Sequence, residues 1–234
     1  MLADASAKCD LRHIDDETFI AVLSHVMQRQ VPAPSPPRAV RPRVVDAVLD
    51  ATLVCITRVG VAKTTLDDVA REAGCARATV YRYFPGKQPL VNAVVAREAD
   101  RLTVAVLAAA EDADDLAGAA TAVLTAGATS LLRHDALRFV LTVEPEVLLP
   151  HISFARGDDL LAECAQRVAP AFTRFIDEDH ALRLAEWVVR IGLSYLCSPE
   201  AADLVDTVRV HALVEDFVLP GLDQSVSSEG IIPT

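Results

Sequence analysis

The pattern of apolar and polar positions is helical over most of the chain. Apolar side chains recur at intervals of three and four, and alternating β-branched runs bounded by Asn-Gly or Asp-Gly turns are missing. This pattern predicts an all-α fold. The segments with helical spacing are residues 41–58, 65–73, 77–83, 87–111, 115–133, 136–148, 157–175, 180–196 and 202–218.

A proline-rich stretch divides the chain near its start. Residues 32–37 read Pro-Ala-Pro-Ser-Pro-Pro, which favours a stiff, extended linker. An amphipathic helix capped by Asp15 or Asp16 is predicted before it. We expect an N-terminal extension over residues 1–37, whose helix packs on the rest, binds a partner or stays unattached. Polar residues 221–234 predict a flexible tail.

Charge is distributed unevenly along the 234 residues. The whole chain carries −11, yet residues 38–90 hold nine Lys or Arg and five Asp or Glu, a local charge of +4 that leaves −15 elsewhere. The overall acidity argues against indiscriminate binding to nucleic acid. A basic segment attached to an acidic remainder is typical of a module that contacts phosphate.

Several other classes of protein are disfavoured. No uncharged apolar run reaches the length of a membrane span, and the first residues lack a secretory signal. The five cysteines are scattered without a C-x-x-C motif, which predicts a reduced, cytoplasmic protein without a metal site. H-E-x-x-H, G-x-S-x-G and strand-linked G-x-G-x-x-G motifs are missing, so we expect neither an enzyme nor a cofactor.

The most informative segment is residues 65–84. Thr65 can cap a helix that stops at Gly74, and a second short helix begins within three residues. Val69 and Val80 supply apolar contacts between the two. This spacing is typical of a helix-turn-helix, whose second helix enters the major groove of DNA.

The run from Arg43 to Leu90 resembles the DNA-binding domain of the TetR family of transcriptional regulators. The segment TVYRYF at residues 79–84, followed by Gly86 and Lys87, carries most of the match. The resemblance implies a helix-turn-helix domain over residues 38–90 and a helical effector-binding and dimerisation domain over residues 91–220.

The expected DNA contacts follow from chemistry and from the resemblance. The planar fork of Arg77 matches the O6 and N7 atoms of guanine. Hydroxyls at the start of the second helix can bind phosphate, and Lys87 resembles the family's phosphate-binding lysine. Arg43 is expected in a flexible arm or in a solvated linker. The DNA-binding residues predicted are Arg43, Thr64, Thr65, Ala76, Arg77, Thr79, Tyr81, Arg82, Tyr83 and Lys87.

The remaining residues predict an effector pocket and a dimer face. The predicted effector pocket contains Arg133, Phe139, Glu144, His151, Phe154, Phe172 and Phe175. The polar residues among them can equally have a surface or capping role. The last two helices suit a two-fold interface, although burial inside one subunit is the alternative. That face is predicted to contain Leu184, Trp187, Val188, Ile191, Tyr195, Val208 and Phe217.

These features together predict a homodimeric repressor that binds a palindromic double-stranded operator and is released by a small apolar or amphipathic effector. Two alternatives stay open. Oxidation of Cys75, in the helix-turn-helix turn, would replace the effector as the input, unless this cysteine only packs there. A helical adaptor that binds no DNA would leave the basic segment unexplained.

Overall fold

The computed structural model describes residues 41–144, 157–196 and 204–223, and every regular element within them is helical. The all-α prediction is therefore confirmed. The predicted extension over residues 1–37, most of the tail, His151 and Phe154 lie outside the described residues. The helices are α1 (Arg41–Lys63), α2 (Leu66–Glu72), α3 (Arg77–Tyr83), α4 (Lys87–Ala110), α5 (Leu116–Leu132), α6 (Asp135–Val143), α7 (Gly157–Val168), α8 (Glu178–Leu196), α9 (Thr207–Leu213) and α10 (Pro220–Asp223).

Two of the predicted helices are interrupted in the structure. The helix predicted over residues 157–175 ends at Val168 and passes into a 3₁₀ turn, Ala169–Ala171. Pro170 lacks an N–H group and disfavours the α conformation of the residue before it, which ends the helix there. The second difference lies after α9, where Val214–Val218 form a π-helical stretch.

Helices α1 to α3 and the first turns of α4 enclose a small core, and we call this part the head. Its buried apolar residues alternate with exposed polar ones at helical spacing, so each helix turns one face inward. The buried residues of the head are Val48, Leu49, Ala51, Cys55, Leu66, Val69, Ala70, Val80, Phe84, Leu90 and Val94.

The rest of α4 packs with α5 and with α7 to α9 around a larger core, which we call the body. Ala119, Ala120, Phe172 and Leu184 are all fully buried there. Arg174 closes the carboxyl end of α4, because its guanidinium donates to the carbonyls of Ala110, Glu111 and Ala113. No single helix among the described residues is long and apolar enough to cross a membrane; α5 and α6 reach that length only as a pair bent by 72°.

A third cluster of buried residues joins α6 to the head helices α1 and α4. It contains Ile56 and Val61 from α1, Val91 from α4, and Ala136 and Val140 from α6. We call it the junction cluster. Since α4 runs without a break from the head into the body, the predicted domain boundary at residue 90 falls inside a helix.

Candidate nucleic-acid interface

Helix α2 begins with a side-chain cap. The Thr65 hydroxyl accepts the backbone N–H of Asp68 at 3.2 Å and donates to the Asp68 carboxylate at 2.5 Å. The hydrogen bond from Thr65, assisted by Arg71, lowers the pKa of Asp68. Thr65 is exposed at the amino end of α2, where the backbone N–H groups attract anions.

The position of Thr64 does not fit the predicted contact of its hydroxyl with phosphate. The residue is 3% exposed, and its hydroxyl donates to the Gly60 carbonyl at 2.7 Å. The Thr64 N–H bonds to the same carbonyl. Both donors therefore stabilise the turn between α1 and α2 and point away from the surface.

The turn between α2 and α3 depends on Gly74. This residue has a φ of +63°, in the left-handed region that favours glycine. The N–H of Cys75 bonds to the Ala70 carbonyl at 3.0 Å, and the N–H of Gly74 bonds to the Arg71 carbonyl at 3.2 Å. This pair of bonds is the Schellman motif. It turns the chain sharply enough for α3 to start at Arg77.

Helix α3 has one face in the head and one face in solvent. Val80 is fully buried, and Phe84 closes the helix on the same side. Because side chains three and four residues apart share a helix face, the remaining positions are presented outward. The exposed residues are Ala76, Arg77, Ala78, Tyr81 and Arg82, while Thr79 and Tyr83 are half-buried.

The Arg77 side chain is held in place by two neighbours. Its Nε lies 2.7 Å from Oδ1 of Asp67 on α2, and Nη2 donates to the Tyr81 hydroxyl at 3.3 Å. The guanidinium also lies 5.2 Å from the centre of the Tyr81 ring. The planar fork is therefore restrained on the outer face of α3.

Other arginines of the head have internal partners or a different location from the one predicted. Arg58 pairs with Glu72 at 2.5 Å, which ties α1 to α2. Arg82 lies over the ring of Tyr83 at 5.1 Å. Arg43 is exposed in the first turn of α1. Arg43 therefore lies in a helix, as the helical pattern over residues 41–58 predicts, and not in a flexible arm or linker.

Lys87 starts α4 beside the end of α1. Its Nζ donates to the Ala62 carbonyl at 2.6 Å, and the side chain is half-buried. Burial lowers the pKa of Lys87, while the nearby Glu144 carboxylate acts in the opposite direction. The ammonium group thus lies at the surface between α1 and α4 and, among the described residues, uses one of its three donors on the Ala62 carbonyl.

The structure brings together only part of the predicted effector pocket. Phe172 is fully buried in the body, and Phe175 packs against the same cluster. Arg133 is exposed and caps the end of α5, whereas Phe139 is half-buried on α6. The Glu144 carboxylate accepts the N–H of Val61 at 2.7 Å, so it faces the head.

A separate cleft of about 410 Å³ opens between α1, α4 and α6. None of the predicted effector residues that the structure describes lines it. The His134 imidazole lies 3.5 Å from the Glu98 carboxylate at its wall. The lining residues are Leu53, Val54, Thr57, Arg58, Glu98, His134, Asp135 and Ala136.

The predicted dimer residues divide into three groups by exposure. Leu184 and Val188 are 0% and 2% exposed in the core of this chain, so their side chains cannot reach a second copy. Ile191 and Tyr195 pack partly against that core. Trp187 is 59% exposed, and Val208 and Phe217 are each 80% exposed.

Sequence reasoning missed two partnerships in and beside the head. The Asp67 carboxylate in the first turn of α2 pairs with Arg77 on the next helix. The contact of Glu144 with α1 has no sequence signal, since 83 residues separate it from Val61. Cys75 is half-buried and packs against the head core, which supports the packing interpretation of this cysteine.

Comparison with known proteins extends this description. Residues 48–94 match the family described as bacterial regulatory proteins, tetR family. The HTH-type transcriptional regulator AlkX of Mycobacterium tuberculosis is 30% identical over 179 residues, 74% of this chain and 83% of the relative. The HTH-type transcriptional repressor LfrR of Mycolicibacterium smegmatis is 29% identical over 140 residues, 58% of this chain and 71% of the relative.

The fold also has a counterpart among solved structures. The TetR family repressor AlkX of a Dietzia species, implicated in biodegradation of n-alkanes, superposes with a TM-score of 0.56 at 20% identity, over 77% of this chain and 95% of that one. Regulators of this family bind DNA operators as dimers. With a helix-turn-helix inside the matched region and a relative that aligns over most of both chains, the protein belongs to the TetR family of transcriptional regulators.

Proposed function

We propose that the protein is a cytoplasmic repressor that binds a palindromic operator as a homodimer. The observation that carries this proposal is the outer face of α3. Arg77, Tyr81 and Arg82 are exposed there, opposite fully buried Val80. A recognition helix inserted in the major groove needs such a face, with a guanidinium fork for base edges.

Phosphate contacts would orient α3 in the groove. Thr65 at the amino end of α2 and Lys87 at the amino end of α4 lie at the ends of the helices that frame the head. The charge of +4 over residues 38–90 supports this role, because the rest of the chain is strongly acidic. The two heads of a dimer would read the two half-sites.

A small apolar or amphipathic effector in the body would release the operator. The body core is built largely from alanine, valine and leucine around Phe172. Two of its buried polar atoms, Thr125 Oγ1 and Glu163 Oε1, lack a hydrogen-bond partner among the described residues. Burial raises the pKa of Glu163, while the nearby Arg167 acts in the opposite direction. An effector that binds the form with lower DNA affinity would shift the equilibrium away from DNA.

The test is a fluorescence-anisotropy titration of the protein against DNA from upstream of its own gene, at two salt concentrations. We expect saturable, salt-sensitive binding that a scrambled duplex lacks and that Arg77→Ala weakens by about 1–3 kcal/mol. Equal, weak binding to both duplexes, followed by failure to select any sequence from a random DNA pool, would overturn the proposal.

The effector arm of the same assay uses straight-chain probes. The n-alkane association of the Dietzia relative suggests dodecane and dodecan-1-ol as a matched apolar and amphipathic pair. Release of labelled operator by dodecan-1-ol at lower concentration than by dodecane would support a polar contact in the pocket. Glu163→Gln and Thr125→Val would then test which buried atom supplies it.

A further inference from the structure

The Glu144 carboxylate lies where α1 ends. Oε2 accepts the N–H of Val61 at 2.7 Å, and Oε1 accepts the N–H of Ala62 at 3.4 Å. Hydrogen bonds to an ionised acceptor are about twice as strong as neutral ones. Glu144 directly follows α6, so it adds a polar link to the apolar contacts of the junction cluster.

The backbone of α1 is shaped around this carboxylate. Gly60 has a φ of +86°, which interrupts the helix before its last residues. A Cβ at this position would overlap the Glu144 carboxylate. The Gly60 carbonyl accepts both the N–H and the hydroxyl of Thr64. The turn that leads into α2 is therefore bonded on one side to Thr64 and on the other to Glu144.

One residue connects this carboxylate to the expected phosphate contact. The Ala62 N–H points to Glu144, and the Ala62 carbonyl accepts from Lys87 Nζ at 2.6 Å. The Glu144 charge also favours the protonated form of the lysine. A change in the position of Glu144 would therefore alter both the α1–α2 turn and the location of the Lys87 ammonium group.

We infer that Glu144 is a positioning residue for DNA binding, which fixes the α1–α2 turn and Lys87 from the end of α6. This inference rests on the proposed operator binding. It assigns the carboxylate a structural link to the head in place of the effector contact that the sequence predicted. Since Glu144 closes α6, movement of α6 would reach the head through this residue as well as through the junction cluster.

The first experiment measures operator affinity for Glu144→Ala and Glu144→Gln, with Glu111→Ala as the control. Glu111 is exposed at the end of α4, so its replacement makes the same change in charge away from the head. We expect a loss of about tenfold for Glu144→Ala, a smaller loss for Glu144→Gln, which keeps one acceptor, and less than twofold for the control. Unchanged thermal midpoints would confirm that the variants are folded.

The salt dependence separates positioning from general stability. If Glu144→Ala misplaces Lys87, the slope of log affinity against log salt should fall by about one phosphate contact. Lys87→Ala should lower the slope equally, and the double variant should lower it no further. A wild-type slope in Glu144→Ala would overturn the inference, as would wild-type affinity.

A double-mutant cycle with Gly60→Ala tests the local geometry. In the wild-type background Gly60→Ala introduces both the strained φ and the overlap with Glu144, so operator affinity should fall strongly. In the Glu144→Ala background the overlap is gone, and the further loss should be several-fold smaller. Additive losses in the cycle would contradict the proposed contact.

Arg77→Ala distinguishes failure of this inference from failure of the proposed function. If Arg77→Ala weakens operator binding and Glu144→Ala leaves it intact, only the role of Glu144 is wrong. If the wild-type protein selects no operator at all, the proposed function fails.

Discussion

Arg77 is restrained before it meets DNA. The Asp67 carboxylate engages Nε and the Tyr81 hydroxyl engages Nη2, so part of the rotamer entropy of this long side chain is already lost in the free protein. A preorganised fork costs less to order on binding. The planar guanidinium, rather than its charge alone, lets this arginine recognise a guanine edge.

Arg77→Lys therefore separates the two properties of this side chain. The charge is kept and the fork is lost, so we expect the preference for the operator over a scrambled duplex to fall roughly tenfold while the salt slope stays constant. Competition anisotropy with both duplexes measures the ratio. Arg71→Lys, on α2 and paired within its own helix to Asp68, is the matched control and should change neither quantity. An equal loss on every duplex would show that Arg77 contacts phosphate.

Cys164 makes stability depend on alkaline pH. Burial raises the pKa of this thiol from 9.0 to about 11. The folded-state pKa lies above the unfolded one. The contribution of the Cys164 thiol to the free energy of unfolding is therefore fully present below about pH 9 and is lost as the pH rises through about 11. Two pKa units correspond to at most about 2–3 kcal/mol. Urea titrations at several pH values should show this decline in the free energy of unfolding. The decline should be smaller in Cys164→Ala than in the control Cys75→Ala. An equal decline in the two variants would show that Cys164 does not cause it.

At the scale of elements, the sequence predicts those helix ends and turns that depend on residues close together in the chain. Gly74 marked the end of α2 and Thr65 its start, because caps and left-handed turns depend on neighbouring residues. The burial of Thr64 and the bond from Val61 to Glu144 depend on helices distant in sequence. Periodicity also places Leu184 and Trp187 on one apolar helix, but it does not show which of the two is buried within its own subunit. These are tertiary properties, so no local pattern reveals them.

Gly74→Ala tests the turn between α2 and α3. Apart from the two chain neighbours, no atom of the described residues lies within 4 Å of the added Cβ, so the cost comes from the left-handed backbone. We expect the free energy of unfolding to fall by about 1 kcal/mol. Gly86→Ala is the matched control, because its φ of 179° is open to any residue and its Cβ meets only Pro89 at 3.7 Å. Chemical denaturation of both variants measures the difference, and equal losses would exclude the conformational explanation.

At the scale of the whole molecule, exposure separates residues of the carboxyl-terminal helices that pack in the core of one chain from residues available for contact between subunits. Leu184 and Val188 are buried in the single chain, whereas Trp187, Val208 and Phe217 leave large apolar surfaces uncovered. Regulators of this family bind DNA as dimers, and exposed aromatic residues are enriched in interfaces. We therefore assign the second group, and not the first, to the proposed contact between subunits.

Phe217→Glu should dissociate the dimer without unfolding the chain. The side chain is 80% exposed, so a carboxylate there is solvated in the monomer but would be buried against the partner in a dimer. Val104→Glu is the control, because Val104 is 68% exposed on α4, outside the proposed contact. Sedimentation velocity should show monomers for Phe217→Glu and dimers for the control, and operator affinity should fall only in the first. Leu184→Ala should instead lower the free energy of unfolding by about 2–5 kcal/mol, since it opens a cavity in the core. A dimeric Phe217→Glu protein would place the subunit contact elsewhere.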